Sequence, residues 1–361
     1  MEIVTILLFV VALSLMVFVH ELGHFILAKR AGIKVEEFAF GYPPRLFSIK
    51  RGETEYSLNL IPLGGYCKML GEEDPSAPRS FAAARKRWRI AILAAGSIMN
   101  LVLAAVLFSG GFMAGWPTAT QTEVRIYQIA SGSPAERAGL RVGDTILSVA
   151  GQPITLAKDI KPKTQENLGK EISIVIRRDS VERTVQLVPR EAWPSDEGPI
   201  GIGIYDAAVK IEPVSYPIWD ALVLGVRRAA EVVVFILYVP VMIVRGQLPL
   251  ELARPVGPVG IYQVTTQAAA ESVSSGWWFP FLSVAALLSA SLGVANLLPI
   301  PGLDGGRLLF VLIEAVRGKR VSPEREGLIH MIGLGILISL VLVVSYWDIL
   351  SPVPPVDWGF K

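Results

Sequence analysis

The chain has 361 residues, of which 52% are hydrophobic and only 18% are charged, and its mean hydropathy is +0.49. Soluble chains carry about 25% charged residues, so this composition excludes a disordered chain and argues against an ordinary cytosolic enzyme. A net charge of +2 is too small to point to nucleic acid, and a single cysteine, Cys67, excludes an internal disulfide and a cysteine-built metal cage.

Residues 3–19 carry no charge and end at His20. As a helix they rise about 26 Å, close to the ~30 Å of a bilayer core. No basic segment precedes them and no small-residue cleavage site follows, so they read as a span rather than a signal peptide. Residues 90–122, 272–303 and 331–347 are the other uncharged runs. The expected layout is a polytopic α-helical membrane protein with about four transmembrane helices, over 1–30, 88–113, 277–316 and 327–347.

Basic residues set the orientation, because loops rich in Lys and Arg stay cytoplasmic. Arg79, Arg85, Lys86, Arg87 and Arg89 precede the second span, and Arg307, Arg317, Lys319, Arg320 and Arg325 separate the third from the fourth. Both loops are expected in the cytoplasm, with residues 114–270 on the opposite side. Residues 232–244 are apolar but too few to span. They contain Pro240 and follow Arg227 and Arg228, so 217–246 is expected to be an interfacial helix within a region covering 193–276.

Between the first two spans, 47–50 and 54–60 read as strands joined at Arg51-Gly52. This predicts a cytoplasmic-side, membrane-associated β-hairpin inside residues 31–87. Between the second and third spans, residues 122–190 have soluble composition, with β-rich runs at 123–129, 145–149, 172–177 and 184–188. Ser133-Pro134-Ala135 opens a short helix, with Ser as N-cap and Pro in the first turn, and Gly143-Asp144 turns into a strand. The string from Ser133 to Asp144 resembles the PDZ domains of bacterial envelope proteases. That likeness implies an inserted extracytoplasmic PDZ (α+β) domain over 120–192, a module that takes peptide by adding a strand to a sheet edge.

Chemistry concentrates at the end of the first span. His20-Glu21-Leu22-Gly23-His24 is an H-E-x-x-H motif and holds two of the chain's three histidines. Positions i and i+4 share a helix face, so both imidazoles can reach one metal ion, and Glu21 can sit beside a water acidified by zinc. Ionisable residues at membrane depth are costly and functional by default. A catalytic zinc wants three protein ligands. His330 begins the fourth span beside a basic loop and reads as an interfacial residue, so Asp304 is the better third ligand. It follows Pro299, Pro301 and Gly302, which should break the helix, and broken backbone at membrane depth occurs only where it is buried or lines a cavity. The topology agrees, since it brings Asp304 and both histidines to the cytoplasmic ends of inward-running spans.

His20–His24, Pro62-Leu63-Gly64-Gly65-Tyr66, the Ser-Pro-Ala…Gly-Asp string and Asn296…Leu303-Asp304-Gly305-Gly306 together resemble the site-2 protease family of intramembrane zinc metalloproteases, its RseP-like bacterial branch most closely. The resemblance covers nearly the whole chain. It implies His20, His24 and Asp304 as ligands of Zn2+ and Glu21 as catalytic base. It further implies that Asn296 positions substrate and that the hairpin ending in Gly64-Gly65 pairs with the substrate backbone. Gly96-Ser97-Ile98-Met99-Asn100 looks like the family's Gly-Pro-x-x-Asn pattern with Ser97 in the proline position. Only Asn100 carries over, as a substrate-binding residue or as a polar group bonded between helices. The implied partners are single-pass membrane proteins, such as anti-sigma factors already cut once outside, and a peptide for the PDZ domain, all at the bacterial inner (plasma) membrane. A membrane-anchored PDZ adaptor with a non-catalytic metal site is the alternative, and the presence of both base and ligands argues against it. A metal transporter is disfavoured because few other polar residues line the spans.

Overall fold

The computed structural model describes residues 1–72, 74–195, 197–249 and 254–358. Its elements in chain order are α1 (Glu2–Arg30), β1 (Val35–Arg51), β2 (Thr54–Met69), α2 (Lys86–Gly115), β3 (Trp116–Ile129), α3 (Pro134–Arg137), β4 (Thr145–Val149) and β5 (Gln152–Pro153). There follow α4 (Ile160–Gln165), β6 (Ile172–Arg178), β7 (Val181–Leu187), β8 (Ile202–Val214), α5 (Ile218–Val244), α6 (Pro258–Ser275), α7 (Phe279–Leu297), α8 (Asp304–Arg317) and α9 (Pro323–Leu350). The chain divides into two compact units: Met1–Trp116 with Ser215–Trp358, and Pro117–Val214.

In the larger unit, α1, α2, α7 and α9 are each long and apolar enough to cross a membrane. Small residues let them pack. Ala104, Ala286 and Ala290 are fully buried where α2 meets α7, and Ala229 and Val232 of α5 join the same cluster. Helix α5 matches the helix expected over 217–246, and Pro240 lies inside it. Helix α6 was not anticipated from sequence. It begins with Pro258, a residue suited to a helix start, and its first N–H groups are met from afar: Asp348 of α9 accepts from Gly257 N and Gly260 N, both at 2.9 Å.

The expected third span needs correction. Residues 277–316 are not one helix carrying the Leu-Asp-Gly motif. Helix α7 stops at Leu297, and Asp304 starts the separate helix α8. Pro299 and Pro301 lack an N–H, Gly302 sits at φ +98°, and Leu303 is extended. Helix continuity is therefore lost over six residues.

The hairpin is larger than its sequence suggests. Strand β1 is central as well as paired at a turn: Phe38 opposes both Tyr56 and Cys67, while Phe47 opposes Leu58. The segments thus lie in the order 45–51, 54–59, 35–40, 65–69. Among the described residues the last of these pairs with β1 on one side, and it packs its Cys67 and Met69 into a core with Ala28, Phe81, Ile92 and Val311. Ser14 of α1 donates to Pro62 O, fastening the sheet to the helix.

The smaller unit is a six-stranded sheet in the order β7-β6-β4-β3-β8, with β5 beside β4. Alternate residues of its strands, including Ile146, Ile172, Ile174 and Ile176, point into one core, the period-2 pattern of a one-sided sheet. Ser133 Oγ caps α3 by accepting from Glu136 N at 3.2 Å, with Pro134 in the first turn. Strand β8 was not foreseen, because its alternation runs through Gly201 and Gly203 into a polar stretch.

Candidate metal centre and active site

Helix α1 presents His20 and His24 one turn apart, and α8 presents Asp304 in its first turn. Their polar atoms converge. His20 Nε2 lies 2.9 Å and His24 Nε2 3.1 Å from Asp304 Oδ2, and the two Nε2 atoms are 3.1 Å apart. His20 and His24 are 7% and 6% exposed, so the two imidazoles sit in a protected place, with Asp304 partly buried beside them.

Three features fit this trio to a metal ion. Two imidazole nitrogens and a carboxylate oxygen form a donor set suited to zinc. Their mutual spacing approaches the roughly 3.3 Å between ligands of a tetrahedral ion with ~2.0 Å bonds. Thirdly, α2 keeps the space open at Gly96, where a Cβ would lie 2.5 Å from His24 Nε2 and 2.7 Å from His20 Nε2. Among the described residues these are the grouped His, Cys, Asp and Glu side chains able to share an ion.

Neighbouring polar groups aim the donors. His24 Nδ1 is 2.7 Å from Ile92 O, which can only accept. The proton is thereby placed on Nδ1, and the Nε2 lone pair faces the cluster. Glu21 follows His20 on α1, and the N–H of Cys67 in β2 donates to its carboxylate. Gly65 of the same segment faces Glu21, whose Cγ lies 3.6 Å from the Cβ position there. The outer segment of the sheet therefore runs alongside the expected base. Burial, reinforced by the Glu21 and Glu72 carboxylates, pushes the Cys67 thiol far above the ordinary thiol range. A thiol held neutral is a poor metal ligand.

The other sequence-predicted residues fall in different places. Asn296 occupies the last turn of α7 and is partly exposed. Gly64 and Gly65 are buried in β2. Asn100 is fully buried, which leaves it no surface to offer a substrate, and its Nδ2 lies 3.4 Å from His20 Nδ1. His330 stands apart from the cluster and braces it: Gly302 N donates to His330 Nδ1 at 2.9 Å, pinning the broken segment that leads to Asp304. Sequence reasoning missed Gly96, Ile92 O and the Cys67 N–H. The last two are backbone groups with no sequence signal, whereas a glycine inside an uncharged helix could have been flagged as a point of close approach.

The sequence matches peptidase family M50 over residues 8–340. The chain belongs to that family, the site-2 proteases. A protein of Clostridium acetobutylicum is 35% identical over 95% of this chain and 97% of its own length. The zinc metalloprotease RasP of Oceanobacillus iheyensis is 32% identical over 96% of this chain and 98% of that protein. The regulator of sigma-W protease RasP of Bacillus subtilis is 31% identical over the same shares. Membership makes the chain a metalloprotease, and zinc is the metal of this family. Among solved structures, the chain is similar to a PDZ domain of an SdrC-like protein from Listeria monocytogenes. The two are 18% identical over 24% of this chain and 92% of that one, with a TM-score of 0.22, too low to carry a fold assignment.

Proposed function

We propose that this M50 peptidase is an intramembrane zinc endopeptidase that cuts single-pass membrane proteins within or near their transmembrane helix. The convergence of His20, His24 and Asp304 beside Glu21, with the histidines and Glu21 on a helix of membrane-spanning length, carries this reading. His20, His24 and Asp304 are the zinc ligands and Glu21 is the catalytic base. Zinc, when bound, supplies a Lewis acid and lowers the pKa of water to about 7. Glu21 takes a proton from the attacking water at a carboxylate oxygen, and delivers it to the amide nitrogen as the C–N bond breaks. Cys67 N–H keeps that carboxylate facing the cluster while it works.

A helical substrate hides its carbonyls in its own hydrogen bonds, so it must unwind before hydrolysis. The 65–69 segment, paired on one side and adjacent to Glu21, is suited to hold the unwound chain by strand addition. Asn296, partly exposed at the end of α7, positions that strand. The 117–214 unit is a single PDZ domain on the extracytoplasmic side, where it filters substrates already trimmed by another protease. Its capped Ser-Pro-Ala helix and one-sided sheet support this assignment. The substrate class is that of anti-sigma factors, a choice supported by the name of the Bacillus subtilis relative.

The deciding experiment uses full-length protein in liposomes with a single-pass substrate. Glu21→Gln should keep one zinc per chain and lose about 10²–10⁴-fold in turnover. Asp304→Ala should lose zinc and activity together. Full cleavage by Glu21→Gln would end the proposal, and full zinc retention by Asp304→Ala would remove Asp304 from the ligand set.

A further inference from the structure

We propose that Asn100 is a positioning residue for His20, its side-chain oxygen accepting the imidazole Nδ1–H so that Nε2 is left free to ligate. The inference rests on the reading of His20 as a zinc ligand.

His20 already points Nε2 at Asp304 and His24. An imidazole that ligates through Nε2 carries its proton on Nδ1 and needs an acceptor there. His24 has one in Ile92 O. For His20, the polar group recorded at Nδ1 is the Asn100 carboxamide, 3.4 Å away through Nδ2. Two N–H donors cannot face each other. The same carboxamide leaves Oδ1 buried without a hydrogen-bond partner among the described residues, an unusual and costly situation for a fully buried acceptor. Both difficulties have one solution. The two ends of a carboxamide occupy nearly the same volume, and the hydrogen-bond network decides which end goes where. Turning the amide places Oδ1 on the Nδ1–H. The displaced NH2 then looks for an acceptor on the same helix face, where Ser97 Oγ, three residues back and also fully buried, has no partner among the described residues. Asn100 and Ser97, three residues apart, thus share a face of α2 on which Asn100 meets His20. Asn100 O on the backbone is separately engaged by Ser289 Oγ at 2.8 Å, which holds the residue in register whatever its side chain does.

The test uses full-length protein in detergent with two substitutions that keep the four heavy atoms of the branched side chain, Leu being the bulkier. Asn100→Leu removes the acceptor, whereas Asn100→Asp keeps it. Zinc affinity is read by competition with a chelator, and thermal unfolding of the metal-free proteins reports packing alone. Asn100→Leu should bind zinc about 10–100-fold more weakly, the usual effect of losing an outer hydrogen bond to a metal-bound imidazole. Asn100→Asp should match or exceed wild type, even though it buries a carboxyl group. A purely structural Asn100 would instead move both variants according to their unfolding temperatures. Imidazole nitrogen NMR on the zinc-loaded wild type gives a second reading that needs no variant. It should place the His20 proton on Nδ1. The proposal fails if Asn100→Leu folds and binds zinc like wild type, if folded Asn100→Asp is as weak as Asn100→Leu, or if His20 Nδ1 carries no proton. Failure of His20→Ala to weaken zinc would overturn the ligand reading itself, a separate result.

Discussion

Gly96 sits where two imidazoles converge, and its missing side chain leaves both rings room. A methyl group there would stand within 2.7 Å of ring atoms of both histidines. Gly96→Ala should therefore push the rings apart at a cost of about 1–3 kcal/mol, roughly fivefold to 150-fold in zinc affinity. Calorimetric zinc titration would show it, with helix content unchanged. The same scale explains why the donors were legible and their supports were not. His20, Glu21 and His24 lie within one helical turn and so reveal themselves by spacing. Asp304 stood out because prolines and a glycine break the chain before it and the topology brings it to the histidines' side. Asn100 was picked out by a short motif, but the contacts of Asn100, Gly96 and the Ile92 carbonyl with the histidines run across helices, at separations no local pattern encodes.

At the scale of elements, α8 is the piece that brings Asp304 to α1, and a buried ion pair ties it to α2. Arg89 Nη1 lies 2.7 Å from Glu314 Oε2, with side chains only 5% and 11% exposed. Glu314→Ala would leave Arg89 buried and uncompensated, at a cost of about 3–5 kcal/mol. Thermal unfolding in detergent should reveal a clear loss, and Arg89→Met combined with Glu314→Leu should recover much of it. Helix ends and breaks were partly readable. Proline and glycine announced the interruption before Asp304, yet its six-residue length and its brace from His330 depend on packing. The sheet was read as a simple hairpin because sequence shows a turn at Arg51-Gly52 but not the second pairing of β1.

At the scale of the whole molecule, two units with different chemistry share one chain. In the 117–214 unit, burial raises the pKa of the Asp144 carboxyl. The Arg178 guanidinium and the Arg141 N–H outweigh it, and the net shift is downward. A carboxyl depressed in the folded state stabilises the fold above its unfolded pKa of about 3.9, and that stability is lost as pH falls through the lower folded value. Arg178→Ala should therefore loosen this unit at pH 7, and the difference from wild type should shrink toward zero below about pH 4. Hydrogen exchange across β4 and β6 in the full chain would follow it. Orientation is tested in a Cys67→Ser background: Arg137→Cys and Lys319→Cys should react with a membrane-impermeant maleimide from opposite faces. Labelling of both from one face would break the positive-inside assignment.

What the sequence determined by itself is what repeats or clusters along the chain. Apolar runs of span length, a helical-period pair of histidines with a glutamate, basic loops and alternating β-runs all follow from local periodicity and composition, and they sufficed to indicate a membrane metalloprotease. Tertiary structure alone decided that Asp304 reaches the histidines from the start of a separate helix, which backbone groups face His24 and Glu21, and which glycine leaves room for the two rings. Those are contacts between segments as far apart as His20 and Asp304. Their geometry depends on how several helices and a sheet pack at once, and no stretch of sequence carries that information alone.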